Sequence, residues 1–199
     1  MYIKLENGEI LAKEINSYKD IDDELVGHPN SIYNSIEQIG RLEWLVTRNM
    51  EKPIMEVGTA CGYVLNRLNG DIGIDIRSDR LLVAKLKYPN MKFYYGNCFN
   101  LEPFYNMNIK SIILAELLEH LPYELAFHAI IHCLKTSNKV YYTLPNSEKD
   151  INVAKNSEHK WYPTKENTKI LMDNVNRHLN IIYNIEDVYG FLCGTITKL

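Results

Sequence analysis

Between residues 53 and 145, short apolar runs alternate with amphipathic stretches, and this alternation constrains the fold more than any other feature of the chain. The runs are 53–58 (PIMEVG), 71–76 (DIGIDI), 92–95 (KFYY), 111–115 (SIILA) and 139–144 (KVYYTL). Their lengths are those of strands, and SIILA reads as a strand buried on both faces. Residues 63–68 are expected to form a short helix. Ser78 is placed to cap a second helix reaching about residue 87. Pro122 suits the first turn of a third, running to about 134 with Leu125, Ala129 and Cys133 on one face. Strands separated by helices imply a mostly parallel sheet with right-handed crossovers. Ligands of such sheets bind beyond the carboxyl ends of the strands.

The flanks read less clearly. Residues 1–25 suggest a weak hairpin turning at Asn7-Gly8, then a short helix over 17–25. Over 31–50, Ile32, Ile36, Ile39, Leu42 and Val46 recur at steps of three and four, predicting an amphipathic helix. After the polar stretch 145–163, Thr164 is placed to cap a helix to about 174. Residues 180–199 read as a closing antiparallel pair bending at Gly190 and Gly194. No linker composition interrupts the 199 residues, so one domain is expected: an N-terminal extension and helix over 1–50, and a core over 53–199. The net charge of −3 argues against a wide phosphate-binding footprint. Cys61, Cys98, Cys133 and Cys193 are too dispersed for a zinc knuckle or a disulfide framework. With no long apolar run, a soluble cytoplasmic protein is expected, with no membrane partner.

The first strand runs into Glu56-Val57-Gly58-Thr59-Ala60-Cys61-Gly62. Small residues at 58, 60 and 62 keep this loop narrow, so a ligand can approach its backbone. The helix after it offers free N–H groups at its start. Asp75 ends the second strand about 20 residues further on, where a carboxylate receives ribose hydroxyls in nucleotide-binding sheets. The dinucleotide pattern G-x-G-x-x-G is absent. The loop instead resembles the first motif of the class I S-adenosylmethionine-dependent methyltransferases, with Ala60 in place of the middle glycine. GIDIRSDRLLVAK (73–85), FYYGNCFNL (93–101), SIILAELLEHL (111–121) and TLPN (143–146) resemble the later motifs of that family, in order.

The resemblance implies a Rossmann-like methyltransferase fold: a mostly parallel seven-stranded sheet, helices on both faces and a C-terminal antiparallel strand pair. It implies S-adenosylmethionine as cofactor, held by Glu56, Gly58, Thr59, Ala60, Gly62, Asp75, Ile76, Asn97, Cys98 and Glu116. Glu56 would lie near the methionine amino group, acting through the loop or a water, Asp75 on the ribose, and Asn97 and the Cys98 backbone at the adenine. The implied activity is O-methylation of a small-molecule or nucleotide-like acceptor.

One further constellation stands out. Glu116, Glu119 and His120 would share a face if this segment is helical. Two carboxylates and an imidazole suit a divalent ion such as Mg, Mn or Zn. With His159, they resemble the metal ligands of the Hen1 small-RNA 3′-terminal 2′-O-methyltransferases, so RNA is an alternative acceptor. His120 is the candidate base or metal ligand. The same E-x-x-E-H element also occurs in ubiquinone-type O-methyltransferases acting on small phenols. A non-catalytic S-adenosylmethionine-binding domain is the third reading. Among the aromatic residues, Tyr33, Trp44, Trp161 and Tyr162 are candidate walls of an acceptor pocket. Tyr2, Tyr18 and His28 are candidates for a lid.

Overall fold

The computed structural model describes residues 3–4, 10–11, 36–149 and 156–199. The expected helix over 17–25, the turn at Asn7-Gly8, and Tyr2, Tyr18, His28 and Tyr33 lie outside the described residues. Strands β1 (Ile3–Lys4) and β2 (Ile10–Leu11) pair antiparallel.

The apolar runs become the parallel centre of the sheet. They are β3 (Ile54–Val57), β4 (Ile72–Asp75), β5 (Lys92–Tyr95), β6 (Ser111–Ala115) and β7 (Lys139–Pro145). The chain closes with β8 (Ile181–Tyr183), β9 (Glu186–Val188) and β10 (Phe191–Lys198), all antiparallel about β10. A seven-strand path runs β5-β4-β3-β6-β7-β10-β8, and the short β9 adds an eighth strand beside β10. β3 is flanked by β4 and β6, so the order reverses there, and the switch point opens between the ends of β3 and β6.

The helices are α1 (Ile36–Val46), α2 (Tyr63–Arg67), α3 (Ser78–Lys87), α4 (Tyr123–Thr136) and α5 (Lys165–His178). Ser78 does not cap α3; it is the first helical residue, and Arg77 is the cap without a side-chain bond. Pro122 stands just outside α4 as its cap. Thr164 does cap α5, in a reciprocal pair with Asn167. Leu125 lies 40% exposed, and α4 turns Ala126, Ala129, Ile130, Cys133 and Leu134 inward instead.

α1 keeps only part of the expected face inward, Leu42, and turns Ile39 and Val46 out. Leu42, Trp44 and Leu45 are buried together with Arg41, while Ile39 and Val46 are 47% and 39% exposed. Trp44 therefore belongs to the core, packed with Phe191 and Tyr141, its indole donating to Glu186 Oε2 at 2.9 Å. Gly190 supplies a left-handed turn (φ 84°) before β10. Gly194 does not bend the chain; it sits inside β10 opposite Tyr142. No described helix is long and apolar enough to cross a membrane.

Candidate functional site

The carboxyl ends of β3, β4 and β6 bring the glycine-lined loop, Asp75 and the Glu116–His120 segment to one edge of the sheet. The loop after β3 alternates left-handed residues: Gly58 at φ 78°, Ala60 at 46° and Gly62 at 77°. Its first two amides are tied to the neighbouring strand, with Gly58 N and Thr59 N donating to Ile74 O at 2.8 and 3.0 Å. A Cβ on Gly58 would come within 2.9 Å of Leu117 Cδ1, so glycine there also lets the segment after β6 close against the loop.

Asp75 is 7% exposed. Its Oδ2 accepts from Ala60 N and its Oδ1 from Arg77 N, both at 2.8 Å. The carboxylate at the strand tip is thus fixed directly against the narrow loop. Each oxygen retains a further lone pair for an incoming hydroxyl. Ile76 beside it is 63% exposed.

Glu56 lies beneath the loop. It is 2% exposed, and its Oε2 accepts from Thr59 Oγ1 at 2.8 Å and Leu65 N at 3.0 Å. It ties the loop to α2 from beneath. Burial pushes its carboxyl up to about 8, against the pull of Thr59, Leu65 and Arg41. Asn97 is exposed after β5, and its Oδ1 already accepts from Phe99 N at 2.6 Å. Cys98 is buried, its thiol pushed up to about 11 by desolvation.

The expected helical face of Glu116, Glu119 and His120 does not form. Glu116 has a left-handed backbone (φ 53°), and only Leu118–His120 makes a single 3₁₀ turn. Glu116 turns instead toward Arg41, with its Oε1 3.1 Å from the guanidinium. Arg41 was not legible as a site residue. It is 2% exposed, reaches in from α1, and also donates to Thr143 Oγ1 at 3.2 Å.

Glu119, His120 and His159 do converge, although His159 comes from a distant segment. One ligating atom from each lies within 4.8 Å of the others. The His120 and His159 rings meet edge to face at 5.1 Å. Glu119 is 1% exposed, and its Oε2 finds no hydrogen-bond donor among the described residues. Burial, reinforced by the charge of Glu116, pushes its carboxyl well above the usual range. A buried carboxyl without a donor is costly unless a cation meets it. The donor set and this orphaned oxygen fit a divalent ion held by these three residues. Trp161, a candidate pocket wall, is 8% exposed, its indole donating to Leu118 O at 2.8 Å, while Tyr162 is 48% exposed.

No protein-family model and no curated protein sequence matches the chain. Solved structures do. The small RNA methyltransferase HEN1 aligns with a TM-score of 0.64 at 18% identity over 79% of this chain, which spans only 25% of that protein. The methyltransferase domain of a bacterial Hen1 aligns with a TM-score of 0.65 at 17% identity, over 79% of this chain and 97% of the other. A Thermotoga maritima S-adenosylmethionine-dependent methyltransferase, described as a possible histamine N-methyltransferase, gives 0.70 at 12% identity, over 90% and 99%. At such identities the likeness is one of architecture, and the fold of this chain is that of the class I S-adenosylmethionine-dependent methyltransferases.

Proposed function

We propose that the chain transfers a methyl group from S-adenosylmethionine to a hydroxyl oxygen of a small-molecule or nucleotide-like acceptor. The observation that carries this reading is the convergence of Glu119 and His120, from the turn after β6, with His159, from the segment after β7. Glu119 and His120 follow Leu117, whose side chain lies against Gly58 of the narrow loop.

In this reading the loop Gly58, Thr59, Ala60 and Gly62 lies along the donor, with Asp75 on the ribose and Ile76 against the adenine. Asn97 and Cys98 lie at the ring edge. Glu116, fixed by Arg41, faces the methionine end, and Glu56 braces the loop from below. The acceptor oxygen attacks the methyl carbon in line, the C–O bond forming as the C–S bond breaks. The sulfonium is already activated, so positioning and exclusion of water supply much of the rate. A divalent ion on Glu119, His120 and His159 would lower the pKa of the acceptor hydroxyl and orient it. Without an ion, the acceptor proton passes to the imidazole of His120.

A second reading narrows the acceptor to the 2′-hydroxyl at an RNA 3′ end. The same Glu-His-His cluster favours it, since a terminal ribose offers two adjacent hydroxyls to one ion. Labelled methyl transfer in Mn²⁺, with and without EDTA, tests both readings. The acceptors are RNA with a free 3′-terminal diol, the same RNA after periodate oxidation, and a panel of phenols and hydroxy acids. Transfer to the diol alone selects RNA, and transfer to the panel selects a small acceptor. Binding of S-adenosylmethionine without transfer to any pool leaves a non-catalytic binding domain. Absence of binding at millimolar concentration by calorimetry overturns the whole reading.

A further inference from the structure

We propose that Trp161 is a positioning residue that sets the distance of His159 from Glu119 and His120. The proposal rests on the reading of that cluster as a divalent-ion site.

The cluster is assembled from two separate stretches. Glu119 and His120 belong to the 3₁₀ turn Leu118–His120, whereas His159 belongs to an exposed run, with Asn156, Ser157, Glu158 and Lys160 all turned to solvent. Such a run needs fixed points to hold an imidazole to a tolerance of tenths of an ångström. Within the run Asn156 Nδ2 lies 3.1 Å from His159 Nε2, and two further contacts tie the run to consecutive residues of the turn. Lys160 N donates to Glu119 O at 2.8 Å, and Trp161 Nε1 donates to Leu118 O at 2.8 Å. The first fixes the backbone next to His159. The second is buried and carries the only side chain of residues 156–162 that enters the core. The indole is held in turn by Tyr123, edge to face at 5.1 Å and 82°. Tyr123 is tied to α5 through its hydroxyl, which donates to Asn167 O at 3.0 Å. On the far side, Ser147 N donates to Pro163 O at 2.8 Å, so the exit of the run is anchored as well.

The carbonyl that Trp161 grips belongs to the residue just before Glu119. Loss of that grip therefore loosens the turn and the His159 run together, widening the cluster from both sides. Tryptophan is required for a chemical reason: among the aromatic side chains, only indole presents a ring N–H donor on so large an apolar body. Phenylalanine would fill most of the space and leave Leu118 O without its donor.

The test is a Co²⁺ titration of the full chain, followed by visible absorption and checked by calorimetry, with S-adenosylmethionine affinity measured in parallel. The native protein is expected to bind one Co²⁺, and His159→Ala to lose it. Trp161→Phe is expected to weaken Co²⁺ about 10- to 100-fold, the range for residues that orient metal ligands. Its affinity for S-adenosylmethionine should stay that of the native protein, which a general loss of structure would not allow. Native-like Co²⁺ affinity and spectrum in Trp161→Phe overturn the proposal while leaving the ion site intact. Failure of the native protein to bind Co²⁺ overturns both. If Trp161→Phe does not fold, Tyr123→Leu replaces it, removing the ring that backs the indole but keeping Nε1. Weakened Co²⁺ binding in that variant supports the proposal, and unchanged binding overturns it.

Discussion

Ala60 stands in a left-handed conformation that an L-residue enters at a cost of about 1–2 kcal/mol. Its neighbours in the loop with the same conformation, Gly58 and Gly62, enter it without that cost. Ala60→Gly is expected to raise stability by about 1 kcal/mol or slightly less, since glycine also gains freedom in the unfolded chain; urea unfolding measures it. The sequence displays the substitution but not the dihedral that gives it an energy. Glu56 makes the complementary point. Its place at a strand end is legible in the sequence, whereas the bonds from Thr59 and Leu65 by which it braces the loop are not. With its carboxyl at about 8 in the folded protein and an ordinary value of 4.5, the folded state holds a proton that the unfolded state has released between those limits. Stability due to this group is therefore full below about pH 4.5 and declines toward pH 8, by up to about 1.4 kcal/mol per pH unit. Glu56→Gln should flatten that decline and keep the two accepted bonds. Unfolding free energies at pH 6 and pH 8 would draw closer together in the variant, and an unchanged difference would show that Glu56 is ionised.

The elements differ in how far the sequence announced them. The parallel strands were legible because a run buried on both faces needs no partner to be recognised. α1 was legible as a helix but not in its orientation. The isoleucine stripe pointed one way, and the buried Arg41, balanced by Glu116 and Thr143, turned the helix another. An arginine reads as a solvent residue until the carboxylate that receives it is known. β10 shows the same gap. Gly194 lies inside it because an added Cβ would meet Asn184 O at 2.2 Å and Tyr142 Oη at 2.3 Å. Tyr142 Oη itself donates to Asn184 O at 2.9 Å. Gly194→Ala is expected to cost about 3 kcal/mol through overpacking and loss of that bond, read from the shift in the denaturation midpoint. A wild-type midpoint would mean that β10 can move away from β7.

Across the whole molecule, the order of strands and helices points to a crevice at the carboxyl ends of the strands before any side chain is placed, because a reversal of strand order creates one there. Asp75 and the narrow loop were read from the small-residue pattern and the strand-end spacing, and Ala60 N donates directly to Asp75 Oδ2. The Glu-His-His cluster was half legible. Its residue types were visible, but the left-handed backbone at Glu116 that removes this side chain from the group was not. Nor was the pair of bonds that carries His159 to the turn, since both acceptors are main-chain carbonyls.

The donorless oxygen of Glu119 has a practical consequence. A cation bound at the proposed ion site would stabilise the folded protein, and heat resistance would then become a readout of ion preference that requires no knowledge of the acceptor. Melting curves recorded with Mg²⁺, Mn²⁺ and Zn²⁺ after chelation should separate, the best-suited ion giving the highest midpoint. In Glu119→Gln the three curves should collapse onto one.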